Sequence, residues 1–251
     1  MSKVSGIGRS SPLTSQAILS FIRKRGINAA CYLDMGGSDG SLTVQIGQAL
    51  NAEEIHVVDI SDEALVIAAS KGLQTHKVDL NSQRLPFPDA HFDFITMVEV
   101  LEHLVDTDHA LREANRVLKP LGYLLITTPN LASWRNRILL LFGFYPEFAE
   151  VSFRISFSGR KPKIDEKPSE LGSKHIRLYT LGALKFQLEY YGFSVENQVG
   201  IPTKFESAPR TIFYRILAYI DAFLSRRASL APSILILAKK RAENNSRYNN
   251  T

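Results

Sequence analysis

The stretch LDMGGSDGS, residues 33–41, decides the fold. A short apolar run, CYLDM at 31–35, leads into the glycines, which are followed by LTVQIGQAL at 42–50, where apolar residues recur at helical spacing. This order of strand, glycine-rich loop and helix is typical of the first unit of an open α/β sheet. Such a sheet binds its ligand at the carboxyl ends of its strands, where glycines let backbone N–H groups approach the ligand closely.

The same alternation continues along the chain. Apolar runs separated by helical patterns favour right-handed crossovers and a parallel sheet covered on both faces. We therefore predict an α/β fold with a doubly wound, mainly parallel, seven-stranded Rossmann-like sheet and an insertion after the fifth strand. The predicted strands are 31–35, 55–59, 74–78, 92–98, 123–128, 193–199 and 233–239, and the predicted helices are 15–26, 42–50, 62–71, 106–118, 181–191 and 210–225.

We expect a single domain over residues 15–240. Residues 1–14 are polar and rich in Gly and Ser, which predicts a flexible N-terminus, and the Asn-rich residues 241–251 predict a disordered tail. Between the fifth strand and the next helix the periodicity weakens. We interpret 131–177 as a substrate-side insertion over the carboxyl edge of the sheet.

Composition places the chain among ordinary globular proteins. With 251 residues, 45% hydrophobic and 22% charged, it is neither a disordered tail protein nor a collagen nor a disulfide-stabilised mini-domain. Its one cysteine, Cys31, cannot form an internal disulfide, and its polar N-terminus lacks the apolar core of a signal peptide. These features predict a cytoplasmic protein, and no apolar run approaches the roughly 18–20 residues that cross a bilayer.

Two carboxylates flank the glycines and restrict the ligand. Asp59 ends the second predicted strand 19 residues after Gly40, where a carboxylate can accept both hydroxyls of a ribose. The loop lacks the G-x-G-x-x-G pattern of dinucleotide enzymes, and Asp34 would repel a pyrophosphate but suits an amine. The pair indicates a nucleoside that carries an amino acid. For the glycines alone, a tight turn without a ligand is the alternative.

The successive motifs LDMGGSDG, VVDIS, VDLN, FDFITMVEVLEHL and LKPLGYLLITTPN resemble those of class I S-adenosylmethionine-dependent methyltransferases. The resemblance covers about residues 30–130 well and 175–200 more loosely. It implies S-adenosylmethionine as cofactor, with the glycine loop under its methionine part, Asp59 on the ribose and Asp79 with Leu80 at the adenine. The cofactor-binding residues that it implies are Asp34, Gly36, Gly37, Ser38, Gly40, Asp59, Ile60, Asp79, Leu80, Val98 and Glu99.

Two positions depart from the family pattern. Ser38 stands where the family usually has its second glycine, and Leu121 replaces the first glycine of a P-G-G turn. Serine is small enough to keep the loop workable, and the Leu121 departure concerns a turn outside the site. Structural roles are alternatives elsewhere: Asp79 as the N-cap of a turn, and Met97 and Val98 as core residues of a strand.

A second polar group follows the fourth predicted strand. Glu99, Glu102 and His103 form the pattern E-x-x-E-H, and His175 comes after the insertion. Because carboxylates and imidazoles suit a divalent cation, these four residues are a candidate metal site, and Glu102, His103 and His175 are candidate catalytic residues. His175 as a general base without metal is one alternative. A helix cap or a buried hydrogen-bonded pair is the structural alternative for Glu102 and His103.

This second group resembles the metal sites of the 2′-O-methyltransferases of small-RNA 3′ ends and of certain quinone-pathway O-methyltransferases. The same E-x-x-E-H spelling is common among methyltransferases without a known metal. The resemblance therefore implies a divalent cation less strongly than it implies S-adenosylmethionine.

Residues outside the motifs bear on partners. Residues 201–251 contain nine Lys and Arg against three Asp and Glu, so the basic excess of a chain with net charge +5 is C-terminal. The helix at 210–225 has apolar residues on one side and arginines on the other, a pattern typical of peripheral membrane contact or, more commonly, of packing on the sheet. Aromatic residues and arginines in the insertion suit a sugar, a lipid-linked compound, a quinone ring or an RNA end. Nucleic acid is the less favoured partner.

These features predict methyl transfer from S-adenosylmethionine to an oxygen of a small or carrier-linked acceptor, such as a glycan, a lipid-linked compound or a quinone-like ring. One alternative is a metal-dependent 2′-O-methyltransferase of RNA 3′ ends. The other is a cofactor-binding partner subunit that is catalytically silent.

Overall fold

The computed structural model describes residues 11–152, 155–158, 161–164, 174–202 and 212–242. The predicted tail beyond Ala242 and residues 1–10 of the predicted flexible N-terminus lie outside these ranges. In chain order the elements are α1 (Pro12–Arg25), β1 (Cys31–Met35), α2 (Ser41–Leu50), β2 (Glu54–Asp59), α3 (Asp62–Ser70), β3 (Gln74–Lys77), β4 (Phe92–Val98), a 3-10 turn (Leu101–His103), α4 (Thr107–Val117), β5 (Leu118–Pro129), α5 (Trp134–Leu141), β6 (Ile155–Ser158), β7 (Lys161–Ile164), α6 (Leu181–Tyr190), β8 (Phe193–Ile201), α7 (Ile212–Leu224) and β9 (Ser233–Lys240).

The main sheet has seven strands in the order β3-β2-β1-β4-β5-β9-β8. The first five are parallel neighbours, β9 is antiparallel to β5, and β8 is antiparallel to β9. The predicted doubly wound, mainly parallel sheet is confirmed. Its strand order reverses between β1 and β4, and a ligand site is expected at the carboxyl ends of the strands at such a switch point.

Helices cover both faces of the sheet. On one face, α4 and α6 pack their buried residues, among them Leu111 and Leu184, against alternate strand residues. On the other face, α1 and α2 pack Ile18, Phe21 and Ile46 against the remaining strand residues. Because parallel strands are buried on both sides, their sequences are nearly continuous apolar runs, which explains why they were recognisable in the sequence.

The first helix begins earlier than the sequence predicted. It starts at Pro12 rather than Ser15, because the Ser11 side chain accepts a hydrogen bond from the Thr14 backbone N–H at 3.1 Å. Proline also suits the first helical position, where its missing N–H is not needed. Residues 12–14 of the predicted flexible N-terminus, 1–14, are therefore helical.

The fifth strand begins earlier than predicted and contains the turn that departs from the family pattern. Leu121, whose side chain is 52% exposed, adopts a left-handed backbone with φ of +63°. The neighbouring Gly122 is constrained by packing, since a Cβ there would lie 2.9 Å from the Lys119 carbonyl oxygen. Leucine thus occupies a conformation that glycine usually supplies, at a local energetic cost of about 1–2 kcal/mol.

Within the predicted insertion, Ser133 caps the unpredicted helix α5 by accepting a hydrogen bond from the Asn136 backbone N–H, and β6 and β7 form a separate antiparallel pair. The segment leaves the sheet beside Asn130 and returns at Tyr179, and these two residues form an isolated parallel bridge. Both ends of the insertion are thereby held at the carboxyl end of β5.

Candidate active site

The loop between β1 and α2 is a turn built for close backbone approach. Gly36 and Gly40 have φ of +79° and +71°, and the backbone N–H of Gly36 donates to the Val58 carbonyl at 2.8 Å. A Cβ on Gly36 would lie 2.6 Å from Val100 Cγ2. The glycines are therefore required both by conformation and by space, and the tight turn is fixed against β2.

Ser38 takes a glycine-like conformation within this loop. Its φ is +51°, so the serine that replaces the family's second glycine preserves the path of the backbone. Its hydroxyl oxygen is buried and has no hydrogen-bond partner within the described ranges. A buried polar atom without a partner is rare and is consistent with a group awaiting a ligand.

Asp59 holds the same loop from the end of β2. One of its carboxylate oxygens accepts the Ser38 backbone N–H at 2.9 Å, and the other accepts the Ser61 N–H at 3.0 Å. Each oxygen keeps a further lone pair, and the residue is partly exposed. The carboxylate is thus pre-oriented, with acceptor capacity left for hydroxyl groups.

Asp34 belongs to a buried network that the sequence did not reveal. Its two oxygens accept the hydroxyls of Thr43 and Thr96 at 2.6 and 2.7 Å, and the Tyr32 hydroxyl lies 2.7 Å from the Thr96 hydroxyl. Burial raises the pKa of the Asp34 carboxyl. The contact of Thr96 with Asp34 follows from the strand register, since the two residues pair across β1 and β4.

An open cleft lies above this loop. Ser15 of α1 and Gln45 of α2 contribute to its wall, and neither was predicted as a site residue. Of the predicted residues, Ile60 is 62% exposed at the sheet edge and Leu80 is buried in the core. The residues that line the cleft are Ser15, Asp34, Gly36, Gly37, Ser38, Asp39, Ser41, Leu42, Gln45 and Val98.

Asp79 serves as a turn cap, which was its structural alternative. Its carboxylate accepts the backbone and side-chain N–H groups of Asn81, both at 2.9 Å, and the Ser82 hydroxyl at 3.1 Å. The hydrogen bond from the Asn81 backbone lowers the pKa of this carboxyl. Its role at an adenine ring stays a prediction, since it does not line the cleft.

The pair Glu99 and Glu102 forms a buried carboxyl site just beyond the cleft. Glu99 has φ of +55° and donates its backbone N–H to Thr127, while Glu102 is wholly buried and accepts the Thr128 hydroxyl at 3.0 Å. Burial raises the pKa of Glu99, and burial together with the charge of Glu99 raises the pKa of Glu102 well above its usual range. In the described part of the chain, the Oε1 atom of each lacks a hydrogen-bond partner.

Two imidazoles adjoin this pair. The rings of His103 and His175 lie 4.9 Å apart, and their Nδ1 atoms lie 3.1 and 2.8 Å from the carbonyl oxygens of Lys174 and Phe148. A carbonyl can only accept, so each Nδ1 carries the proton and each Nε2 keeps a lone pair. Burial, and then His175, lower the pKa of His103.

The structure brings three of the four predicted metal ligands together. Ligand atoms of Glu102, His103 and His175 all lie within 4.8 Å of one another. Glu99 lies outside this group of mutually close ligand atoms, although its carboxyl contacts that of Glu102. The role of Glu99 as a fourth metal ligand stays a prediction.

A family of proteins described as methyltransferase domains matches residues 13–198 of the sequence. This match spans both the cleft and the Glu102 group. The chain belongs to the methyltransferase-domain family. Solved S-adenosylmethionine-dependent methyltransferases share its fold, and the motifs around the glycine loop imply the same cofactor.

Curated relatives share part of this methyltransferase. The ubiquinone/menaquinone biosynthesis C-methyltransferases UbiE of Shewanella sp. strain ANA-3 and of Shewanella baltica strain OS155 are each 40% identical to it over 101 residues. That stretch is 38% of the chain and 40% of each relative. The match thus spans about two fifths of the length of these relatives.

Solved structures share the fold of the methyltransferase at low identity. A chain in the complex of the Trm112 methyltransferase activator of Haloferax volcanii superposes with a TM-score of 0.62 at 14% identity, covering 91% of this chain and 89% of that one. An S-adenosylmethionine-dependent methyltransferase of Thermotoga maritima gives 0.60 at 19% identity, covering 91% and 90%. That of Mesorhizobium loti gives 0.57 at 17% identity, covering 90% and 98%.

The cleft of the methyltransferase fits this cofactor. The glycine loop lets a ligand approach the protein backbone closely. Ser38 offers an unpaired hydroxyl, and Asp59 offers acceptor capacity for the two ribose hydroxyls. Among the residues that line the cleft, Asp34 and Asp39 are acidic and none is basic, which favours a cationic ligand over an anionic one. These observations support the predicted loop and Asp59 as cofactor-binding residues.

Proposed function

We propose that this methyltransferase transfers the methyl group to an oxygen of a hydroxylated acceptor that is lipid-linked or quinone-like. The observation that carries this proposal is the group formed by Glu102, His103 and His175, whose first member follows Val98, a lining residue of the cofactor cleft, by four positions in sequence. Methyl transfer from a sulfonium is an in-line displacement, so the protein must mainly position the acceptor and exclude water. The acceptor proton must also leave.

The two imidazoles are arranged to receive that proton. Because Nδ1 of each ring is held by a backbone carbonyl, each Nε2 is fixed as the acceptor. The Ile176 backbone N–H also donates a hydrogen bond to the Glu102 carbonyl at 2.7 Å. This bond holds the chain that returns from the insertion next to the 3-10 turn. His175 and His103 are therefore positioned by the fold itself before any acceptor binds.

A divalent cation fits the same donor set. Glu102, His103 and His175 would hold it with one carboxylate oxygen and two imidazole nitrogens, and the Nδ1 hydrogen bonds to carbonyls are the outer contacts typical of metal-bound histidine. When bound, such an ion supplies Lewis-acid stabilisation of the acceptor oxygen. Three protein ligands leave a coordination position for that oxygen.

Carbon methylation of a quinone ring precursor is a second candidate. It is favoured by the relatives named as C-methyltransferases of ubiquinone and menaquinone biosynthesis. Both candidates share a ring hydroxyl that must lose its proton, and they differ in the atom that attacks the methyl group. RNA 3′ ends are the further acceptor that the E-x-x-E-H resemblance implies.

The test is product analysis with a panel of acceptors. We expect methylation of a prenylated phenol or quinol, with the methyl group on oxygen by mass spectrometry and NMR. Treatment with a chelator should lower the rate, and Mg²⁺, Mn²⁺ or Zn²⁺ should restore it. A methyl group on a ring carbon would establish the second candidate, methylation of RNA would establish the third, and the absence of turnover with intact cofactor binding would contradict all three.

An exposed apolar surface suggests how a lipid-linked acceptor is reached. On α7 the residues Ile212, Ile216, Tyr219 and Phe223 are 52–76% exposed, while among the helix's described side chains it is Asp221 that is buried. Packing on the sheet, one of the two alternatives for this helix, does not fit the exposed residues Ile212, Ile216 and Phe223. Two members of the predicted helix are not described in this respect. Arg210 lies outside the described residues, and the side chain of Phe213 lies outside the described side chains.

Helix α5 extends this apolar surface. Leu141 and Phe142 at its end are 77% and 68% exposed, and the Trp134 indole N–H donates to Asp221 at 2.7 Å, which joins the two helices.

Arg226 and Arg227 follow α7 and are exposed. Among the described residues no helix is long and apolar enough to cross a membrane. We infer that the surface lies on an anionic bilayer, as basic amphipathic helices do. The cytoplasmic location stays a prediction.

We expect the double variant Tyr219→Ser/Phe223→Ser to lose binding to phosphatidylglycerol vesicles. Burying one such side chain contributes about 1.5–3 kcal/mol, so the partition coefficient should fall at least tenfold, by roughly 1.4 kcal/mol or more. Co-sedimentation with vesicles measures this. The control is Phe186→Ser, which removes a 67% exposed phenylalanine from a different helix, α6. Equal loss in both variants, or no loss in the first, would contradict the membrane contact.

A further inference from the structure

A second group of metal-ligating side chains lies at the opposite end of the sheet. Cys31 is the first residue of β1, Glu54 is the first residue of β2, His56 is two residues further along β2, and His91 directly precedes β4. We call these four residues the amino-end cluster. β1 lies between β2 and β4 in the sheet, which is why residues so far apart in sequence meet here.

The side chains of the amino-end cluster converge. One ligand atom from each of the four lies within 4.8 Å of all the others. The Glu54 carboxylate bridges two of them, with its oxygens 3.5 Å from Cys31 Sγ and 2.7 Å from His56 Nε2. Small shifts of side chains would bring these atoms to the distances of about 2.0–2.3 Å from a shared ion that zinc sites show.

The surroundings of the amino-end cluster resemble those of a structural metal site. Cys31 and His56 are 6% and 5% exposed, whereas the Glu54 side chain is 43% exposed and provides a route for an ion. His56 Nδ1 lies 3.1 Å from His76 Nε2, an outer contact that would orient the His56 ring with its Nε2 toward the ion. The rings of Phe87 and Phe92 pack edge-on against His56 and exclude water.

We propose that Cys31, Glu54, His56 and His91 bind a Zn²⁺ ion. One thiolate, one carboxylate and two imidazoles supply four ligands, the number that zinc takes in closed structural sites. The thiolate and carboxylate charges neutralise the ion, which suits a site that is largely buried. The ion would tie together the amino ends of three strands, at the end of the sheet away from the cofactor cleft, so its role is structural.

A nucleophilic or redox role for Cys31 fits less well. Burial, and then the neighbouring Glu54 carboxylate, raise the pKa of the Cys31 thiol to about 12. A protonated, buried thiol reacts slowly as a nucleophile, whereas a bound metal ion removes the thiol proton to solvent and takes the thiolate as a ligand. The convergence of the four ligand atoms, rather than the pKa of the thiol, favours the metal role.

Cobalt substitution tests the proposal on the full chain. We expect the reduced, metal-free protein to bind Co²⁺ with a thiolate-to-cobalt absorption band in the near ultraviolet and with visible bands of tetrahedral intensity, and Zn²⁺ to displace it. Cys31→Ser should abolish the near-ultraviolet band. His91→Ala, in a partly exposed position, should weaken Co²⁺ binding while keeping the fold, as circular dichroism would show. His76→Ala should weaken it about 10–100-fold through loss of the outer contact.

Variants of the other cluster separate the two sites. His175→Ala removes a ligand from the group of Glu102, His103 and His175 and should leave the thiolate band unchanged. His109→Ala, at a half-buried histidine outside both groups, should do the same. Zn²⁺ should also raise the midpoint of thermal unfolding of the parent protein but not that of Cys31→Ser. Absence of a thiolate band in the parent protein, or equal Co²⁺ affinity in the parent and His91→Ala proteins, would overturn the proposal whatever the reaction at the carboxyl edge proves to be.

Discussion

Asp59→Ala is expected to lose S-adenosylmethionine binding by at least about 100-fold. In the structure this carboxylate accepts two backbone N–H groups, one of them from Ser38 in the glycine loop, and is thereby held beside that loop. The ribose hydroxyls would add two hydrogen bonds to a charged acceptor, each contributing about 1.5–3 kcal/mol. Their loss alone, about 3 kcal/mol or more, corresponds to about two powers of ten in affinity. Release of the Ser38 N–H also loosens the glycine loop. Calorimetric titration with S-adenosylhomocysteine measures the change.

Asp62→Ala is the matched control for this variant. Asp62 is three residues further on, its side chain is 70% exposed, and it pairs with Lys77 on the surface. The same change of charge there should leave the affinity within about twofold, because exposed ion pairs contribute little. Unchanged affinity in Asp59→Ala would remove the nucleoside-binding assignment, and an equal loss in both variants would assign the effect to net charge.

Much of the fold and of the cofactor site could be predicted because the determinants are local in sequence. The strands of the parallel sheet are buried on both faces and therefore appear as continuous apolar runs, and the β1 loop carries its glycines in one short motif. Asp59 followed from the same logic, since a residue that ends the second strand must face the switch point. Ser38 was recognised as a departure, and its φ of +51° shows how the loop tolerates it.

What the sequence did not reveal depends on register and on tertiary packing. Thr96 reaches Asp34 only because β4 pairs with β1 in one register, and helix spacing gives no sign that Ser15 and Gln45 reach the same cleft. The apolar stripe of α7 has the periodicity of a packed helix, yet among the side chains described for this helix the buried one is that of Asp221. Periodicity identifies an apolar face without identifying what covers it.

The amino-end cluster was hidden for a related reason. The sequence shows no spacing of a metal-binding motif for these residues, because they belong to three different strands. Cys31 lies in β1, Glu54 and His56 lie in β2, and His91 directly precedes β4. Only the order β2-β1-β4 brings them together. The E-x-x-E-H motif could be read directly because its three residues are neighbours in sequence, but only the structure shows that His175 joins Glu102 and His103.

Glu102→Gln and His175→Ala are expected to lower kcat by about 100- to 10,000-fold while leaving S-adenosylhomocysteine affinity nearly unchanged. Neither residue lines the cofactor cleft, whereas both belong to the group that would receive the acceptor proton or hold a cation. Glutamine at 102 keeps the shape and the hydrogen bond with Thr128 but removes the ionisable group, so a loss of kcat there reports the loss of a titratable carboxyl rather than of packing. His109→Ala is the control for the histidine, because its half-buried ring contacts the Gln83 carbonyl away from the Glu102 group. If Glu102→Gln and His175→Ala turn over at the parent rate, the buried carboxyl and the paired imidazoles only hold the insertion against the sheet and take no part in methyl transfer. If cofactor affinity falls as much as kcat, these residues shape the cleft instead of activating the acceptor.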